Sequence, residues 1–422
     1  MSECQRGEGA GWPHEESGAW RIGLPDGYPS VTVRVDVTDS HAIQSYTIHI
    51  CGNPWKNWTF LRLVTADGIE GVGECSLNGF AKTTVTCIEE LSRYFLGKRP
   101  EDYATITARM LTDLYSDAGQ LHRGVIAAVE MACLDILGKR AGLPVYALLG
   151  GKVQEETETY GNGWYRVAHS VEGFRLALSK PEMEQYLILK VDPFGSRTSP
   201  MWEKDATPVR IIQELGGSPF RRFALECHQR LDFLDAAALV RILSPRWIWI
   251  EEPLPWWDTD GLVSLADFSP IPIATGENFT DLRQFQAIVA QTKNIVLQPD
   301  VMNLGGITKA LAVCRLAERH GLRVCPHDAQ GPVSRAACVQ LAAVSPAVWM
   351  LEDFDPWNAP WTREVATTFR AERGVIGFKE MPPGLGVTLD WGNVREHPYD
   401  PNGWVPLFEA GWEKRRREGD EP

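Results

Sequence analysis

The chain has 422 residues, 44% of them hydrophobic and 23% charged, and its 42 Lys+Arg against 55 Asp+Glu leave a formal net charge of −13. This composition excludes a fibrous repeat or a wholly disordered chain, and the length suits two or three domains, one of which could be an α/β barrel. Excess negative charge repels phosphate backbones and anionic lipid, so no nucleic-acid partner and no membrane surface are expected without a local basic patch.

The one candidate patch, Lys414-Arg415-Arg416-Arg417, reads as a solvated tail. Residues 1–30 are rich in Gly, Glu and Pro without periodicity and are expected to form an N-terminal extension. They lack the basic and apolar regions of a secretory signal, and charges such as Glu130, Asp135 and Lys139 interrupt every long apolar run, so no membrane span is expected. Nine cysteines with no C-x-x-C pair suit a reducing compartment. A cytoplasmic protein is expected.

From Val31 the pattern becomes β-rich: residues 31–37 alternate, and 58–64 and 69–75 flank Ala66-Asp67-Gly68, a hairpin turn signal. Helices are predicted at 83–94, 105–115 and 123–141, the last stopped by Gly142 and Pro144. Strands followed by helices predict an α+β domain over residues 31–153.

Beyond Gly150-Gly151, short apolar runs alternate with longer amphipathic stretches, as in a parallel α/β architecture over residues 154–378. The runs are 156–160, 185–190, 222–226, 247–251, 271–277, 294–300, 322–327 and 348–352. Eight strands suffice to close a barrel. The last seven end in Lys190, Glu226, Glu251, Glu277, Asp300, His327 and Glu352, and the carboxyl ends of barrel strands converge on one mouth. Any strand must end in something polar. Seven ionisable side chains in phase point to a site.

Glu226, Glu251 and Glu277 end three consecutive strands, and carboxylates crowded together in a partly buried site need a cation. All-oxygen ligation with open positions selects Mg²⁺ over Zn²⁺ or Ca²⁺. Glu252 is expected to point to the barrel's outer side by period-two geometry, in a structural role. Asp300 and His327 end neighbouring strands, and a carboxylate that accepts one imidazole N–H makes the other nitrogen a general base. Lys190 adds a fixed positive charge, and Glu352 an acid or hydrogen-bond donor. His228 shares the face of Glu226 by strand periodicity, and Arg230 follows it if the extended conformation persists.

These residues resemble the mandelate racemase branch of the enolase superfamily. The carriers are Trp58 to Glu74, Leu189-Lys-Val-Asp-Pro-Phe-Gly195, Ile250-Glu-Glu-Pro253, Pro272-Ile-Ala-Thr-Gly-Glu277, Gln298-Pro-Asp300 with Gly305-Gly306-Ile307, Pro326-His327 with Gly331-Pro332, and Pro383-Gly-Leu-Gly386. The resemblance implies a modified TIM barrel, (β/α)7β, under an α+β capping domain built from both chain ends, with residues 379–422 returning to the cap. Pro383 to Gly386 is expected to be the returning strand. It further implies proton abstraction α to a carboxylate bound on Mg²⁺, with Glu226, Glu251 and Glu277 as ligands, Asp300–His327 as the base dyad and Glu352 donating to the substrate carboxylate. A symmetric homo-oligomer is also implied.

Racemising relatives carry Lys-x-Lys at the second strand, whereas this chain has Lys190-Val191-Asp192. Asp192-Pro-Phe-Gly and Glu226-Cys-His228 resemble acid-sugar dehydratases of the galactonate type, which implies that His327 removes the C2 proton and His228 protonates the departing 3-hydroxyl. The expected activity is dehydration of a sugar acid, a small-molecule carboxylate, to a 2-keto-3-deoxy acid. An epimerase or racemase of a hydroxy acid, or a catalytically silent binding or regulatory homologue, is the alternative. A metal-dependent hydrolase on the same barrel would carry His-x-His near the first strand, and Tyr160 to Arg166 has none. Specificity is expected from the cap residues Asn53, Trp55, Asn57, Asn78 and Lys82, together with Arg230. Trp55, Trp164, Trp357 and Trp404 are either pocket walls or packing.

Overall fold

A computed structural model describes residues 20–23, 30–166, 168, 170–199 and 206–411. Most of the 1–30 extension and the basic run Lys414–Arg417 lie outside the described residues. Within the extension, Trp20–Gly23 forms a strand that pairs antiparallel with Val31–Arg34. No helix among the described residues is long and apolar enough to cross a membrane.

The N-terminal sheet is antiparallel, in the order Trp20–Gly23, Val31–Arg34, Ile43–Cys51, Trp58–Thr65, Glu70–Glu74. Its central strand, Ile43–Cys51, adds to the sequence reading. Tyr46, Ile48 and Ile50 alternate with Ser45, Thr47 and His49 along it, as a strand with one apolar face requires. The hairpin turn falls where Ala66-Asp67-Gly68 predicts it, with Gly68 at φ 86°. The helices are Ala81–Leu91, Tyr103–Thr112 and Gln120–Ala141. The 22-residue helix Gln120–Ala141 is buried along most of its length because it is shared by the cap and the barrel. It ends at Gly142, which takes the left-handed conformation at φ 67°.

Eight parallel strands form the barrel, called strands one to eight in this order: Glu156–Gly161, Ile188–Val191, Arg222–Glu226, Trp247–Glu251, Ile273–Thr275, Ile295–Leu297, Arg323–Val324 and Met350–Asp353. Each pairs with the next as far as strand seven, and strand eight pairs with strand one. A bridge from Val324 to Val348 completes the ring. Val375–Gly377 lies antiparallel against the start of strand one, an addition to the expected eight. The interior is filled by Tyr160, Ala224, Trp249, Ala274, Val296, Cys325 and Met350, one from nearly every strand. Period-two alternation then lifts Glu226, Glu251 and Glu352 onto the mouth, two residues beyond Ala224, Trp249 and Met350.

Strands five to seven are shorter than the sequence runs, so Glu277, Asp300 and His327 stand on the loops just beyond them. Pro383 to Gly386 is not a strand. This stretch docks on the long helix through Leu385 N–H to Asp135 Oδ1 (2.8 Å), and on the loop that follows it through Gly384 N–H to the Leu143 carbonyl (2.9 Å). Residues 400–405 lie against the cap: Asn57 Nδ2 donates to the Asp400 carbonyl at 2.7 Å and Asn78 Nδ2 to the Val405 carbonyl at 3.1 Å.

Two cap glutamates dock on barrel helices. Glu74 accepts from the N–H groups of Gly331, Val333 and Ser334 (2.6, 3.1 and 3.1 Å), at the start of helix Pro332–Val344. Glu130 accepts from the Thr308 N–H (3.3 Å) and the Thr308 hydroxyl, at the start of helix Ile307–His320. Both satisfy orphan N–H groups at the positive end of a helix, which offsets part of the cost of burying each carboxyl. Gly306 (φ 126°) is required here, because a Cβ would collide with the Glu130 carboxylate.

Candidate active site

A cavity of about 340 Å³ lies where the cap, the barrel mouth and the C-terminal segment meet. The cap contributes Asn53, Trp55 and Lys56, the barrel Lys190, His228 and His327, and the chain end Val405 and Leu407. All three parts are therefore needed to enclose it.

Glu226 and Glu277 line the cavity, with Glu251 buried beside them; each of the three offers an oxygen, and these atoms lie within 4.8 Å of one another. Burial, then the neighbouring Glu226, pushes the Glu251 carboxyl up to about 7. Such a group needs a countercharge. Part of it comes from Lys190, whose ammonium lies 2.6 Å from Glu251, 2.8 Å from Glu226 and 2.9 Å from Glu352. Burial disfavours the charged Lys190, but these carboxylates outweigh it and hold its pKa well above the usual range. An all-carboxylate set that is still net negative after pairing with one lysine fits a hard divalent cation.

Glu252 lies outside this cluster. Its backbone has φ 41°, so strand four has already ended and period-two geometry does not apply. Nor is it an outer-surface residue. At 1% exposure, it accepts from the Thr275 hydroxyl and the Gly276 N–H (3.2 Å).

His327 and Asp300 meet, with Nδ1 2.8 Å from Asp300 Oδ2, and His327 Nε2 lies 3.6 Å from Glu277. Burial works against the imidazolium, yet Glu277 and Asp300 together push the His327 pKa up to about 10. Across the mouth stands a second pair. His228 Nδ1 lies 2.9 Å from Asp192 Oδ2, which also accepts from Arg230 at 2.6 Å. His228 lines the cavity, but not through strand periodicity: His228 and Gln229 have φ 48° and 61°, so a left-handed turn swings the ring inward. Arg230 does not line it. Its guanidinium is bonded to Asp192 and to the Gly195 carbonyl, bracing the second pair from behind.

Glu352 stands at the end of strand eight. It accepts from Asn162 Nδ2 (2.7 Å) and the Asp328 N–H (2.9 Å) as well as Lys190. Burial would raise its pKa, but Lys190 and His327 pull it down to about 2, so in this state Glu352 is an ionised acceptor.

Among the other residues singled out, Asn53, Trp55 and Asn78 line the cavity. Asn57 instead pins the chain end, and Lys82 lies 4.6 Å over the Tyr399 ring. Trp164 and Trp357 are core residues, and Trp404 does not line the cavity. Unanticipated lining residues include Lys56, Asn162, Arg166, Asn303 and Gln330. Gln330 follows the Pro326-His327 motif by three residues, the one local signal that could have found it. Lys56 and Arg166 carry no comparable spacing.

Residues 32–150 match the family described as mandelate racemase/muconate lactonizing enzyme, N-terminal domain, and residues 175–393 match the enolase C-terminal domain-like family. Among curated relatives, a D-gluconate dehydratase of Thermoproteus tenax is 28% identical over 82% of this chain and 71% of its own length. A D-galactonate dehydratase of Verminephrobacter eiseniae is 30% identical over 82% of this chain and 92% of its own. A solved mandelate racemase/muconate lactonizing enzyme from Sulfitobacter sp. superposes with a TM-score of 0.80 at 26% identity, covering 87% of this chain and 98% of that one. Cap, barrel and mouth chemistry agree with these matches: the chain belongs to the mandelate racemase/muconate lactonizing enzyme family of the enolase superfamily.

Proposed function

We propose that the protein is a Mg²⁺-dependent acid-sugar dehydratase that converts an aldonate-type substrate to its 2-keto-3-deoxy acid. The observation that carries this reading is the pair of His–Asp couples on strands two and three and on strands six and seven, facing each other across one cavity. Dehydration needs a base at C2 and an acid at the 3-hydroxyl, and opposed imidazoles can divide that work. The names of the two dehydratase relatives support the same class.

Glu226, Glu251 and Glu277 would hold the metal. A divalent ion there would polarise the substrate carboxylate and offset the negative charge that now holds a proton on His327. His327, oriented through Nδ1 by Asp300, takes the C2 proton at Nε2. Lys190 places its ammonium against the carboxylate end of the substrate, and Glu352 orients that ammonium. His228, fixed by Asp192 and Arg230, delivers a proton to the departing hydroxyl. Trp55 and Leu407 help to exclude water from the cavity.

Racemisation calls for a second base on the opposite face. Lys190 is engaged by three carboxylates, and the position two residues later is Asp192, itself bonded to His228. The test is to incubate the purified protein and Mg²⁺ with a panel of sugar acids that includes D-galactonate and D-gluconate, assaying 2-keto acid with a carbonyl reagent. Product from a member of the panel supports the reading. Exchange of the α-proton without product from any member would replace dehydration with epimerisation.

A further inference from the structure

Lys56 belongs to the cap loop between Cys51 and Trp58, yet its ammonium is bonded to the barrel. Nζ donates to the Ala329 carbonyl at 3.0 Å and to Gln330 Oε1 at 2.8 Å. Gln330 then donates through Nε2 to Asp300 Oδ2 at 3.0 Å, the same oxygen that faces His327 Nδ1 at 2.8 Å. The other oxygen, Oδ1, accepts the N–H groups of Met302 and Asn303 at 2.7 and 3.0 Å. Asp300 is fully buried, so these groups are its hydrogen-bonding environment.

The chemistry of the two ends orients the amide between them. An ammonium only donates and an ionised carboxylate only accepts. With Lys56 in place, the Gln330 oxygen faces the cap and its NH₂ faces Asp300; the flipped amide would set donor against donor and acceptor against acceptor. If Lys56 is removed, that orientation loses its anchor. If Gln330 is removed, Oδ2 keeps only the imidazole, and the carboxylate is fixed from the Oδ1 side alone.

We propose that Lys56 and Gln330 are positioning residues for the base, forming a hydrogen-bond relay from the cap loop to Asp300 that sets the orientation of the His327 ring. The barrel's dyad is then complete only with the cap loop seated. The inference rests on the reading of His327 as the base. Partners that orient a reacting imidazole at one remove typically contribute about 10–100-fold to activity.

The experiment compares the wild type with Lys56→Met, Gln330→Met, the double variant, Gln330→Glu and Lys56→Arg. D-galactonate and D-gluconate are the probes, and the readouts are kcat, KM and exchange of the α-proton with solvent deuterium. The relay predicts that each Met variant loses about 10–100-fold in kcat and in exchange while KM holds. The double variant should be no worse than either single one, because both break the same chain. Gln330→Glu should fail like Gln330→Met, since it can accept from Lys56 but cannot donate to Asp300, and Lys56→Arg should recover most of the loss. A raised KM with kcat retained, or losses that add in the double variant, would overturn the relay and make Lys56 a substrate contact.

A second readout needs no turnover. The His327 Nδ1 proton resonance, assigned by its disappearance in His327→Asn, should move in the same direction in Lys56→Met and Gln330→Met. An unmoved resonance in both overturns the relay. Absence of exchange by the wild type with either probe would count against the base assignment, and the resonance would still report on the relay.

Discussion

Replacing Glu130 with Gln probes the contact that seats the cap on the barrel. Glu130 lies mid-way along the helix Gln120–Ala141, is 1% exposed, and caps the N-terminus of helix Ile307–His320 through Thr308. Burial pushes its carboxyl from 4.5 up to about 7, against the downward pull of Thr308, Ile307 and Lys309. In the unfolded chain the same group ionises near its ordinary value. Between these two values the folded protein holds a proton that the unfolded chain has lost, so stability falls as pH rises and levels off above about 7. A rise of that size corresponds to about 3 kcal/mol. Gln keeps an oxygen for Thr308 and has no charge to desolvate. Urea unfolding of the wild type and Glu130→Gln from about pH 4 to about pH 8 should show the variant gaining about 3 kcal/mol relative to the wild type across that range. A stability difference that does not change with pH would refute the reasoning.

Gly306→Ala should destabilise the same junction by about 1–3 kcal/mol, through the φ of 126° and the collision with Glu130, read by the same unfolding titration. Asp192→Asn should lower dehydration by about 10–100-fold while α-proton exchange persists, since it loosens His228 and leaves His327 untouched; equal loss of both steps would mean that the two couples are not independent. Chelation should abolish turnover, with Mg²⁺ restoring it and raising the thermal midpoint, because a ligand that binds only the folded triad stabilises it. Full activity in a chelator would end the metal reading.

The ends of the barrel strands were legible because two periodicities coincide there. Ala224, Trp249 and Met350 must fill the barrel interior, so Glu226, Glu251 and Glu352 must rise to its mouth two residues later. The rule holds only while the chain stays extended. At His228 and Glu252 positive φ angles break it, and neither type of residue announces a left-handed turn as glycine would. The state of Glu352 was not legible for a different reason: which of two states a carboxyl adopts depends on Lys190, Asn162 and the Asp328 N–H arriving from three other segments. Lys56 and Gln330, separated by 274 positions, meet only because the cap folds over the barrel, and no local pattern encodes that.

The division of labour between the two imidazoles is the central claim, and α-proton exchange measured beside product formation in His327→Asn and His228→Asn tests it most directly. The account predicts that His327→Asn loses both exchange and product, while His228→Asn keeps exchange and loses product. Exchange that survives in His327→Asn, or product that survives in His228→Asn, would contradict it.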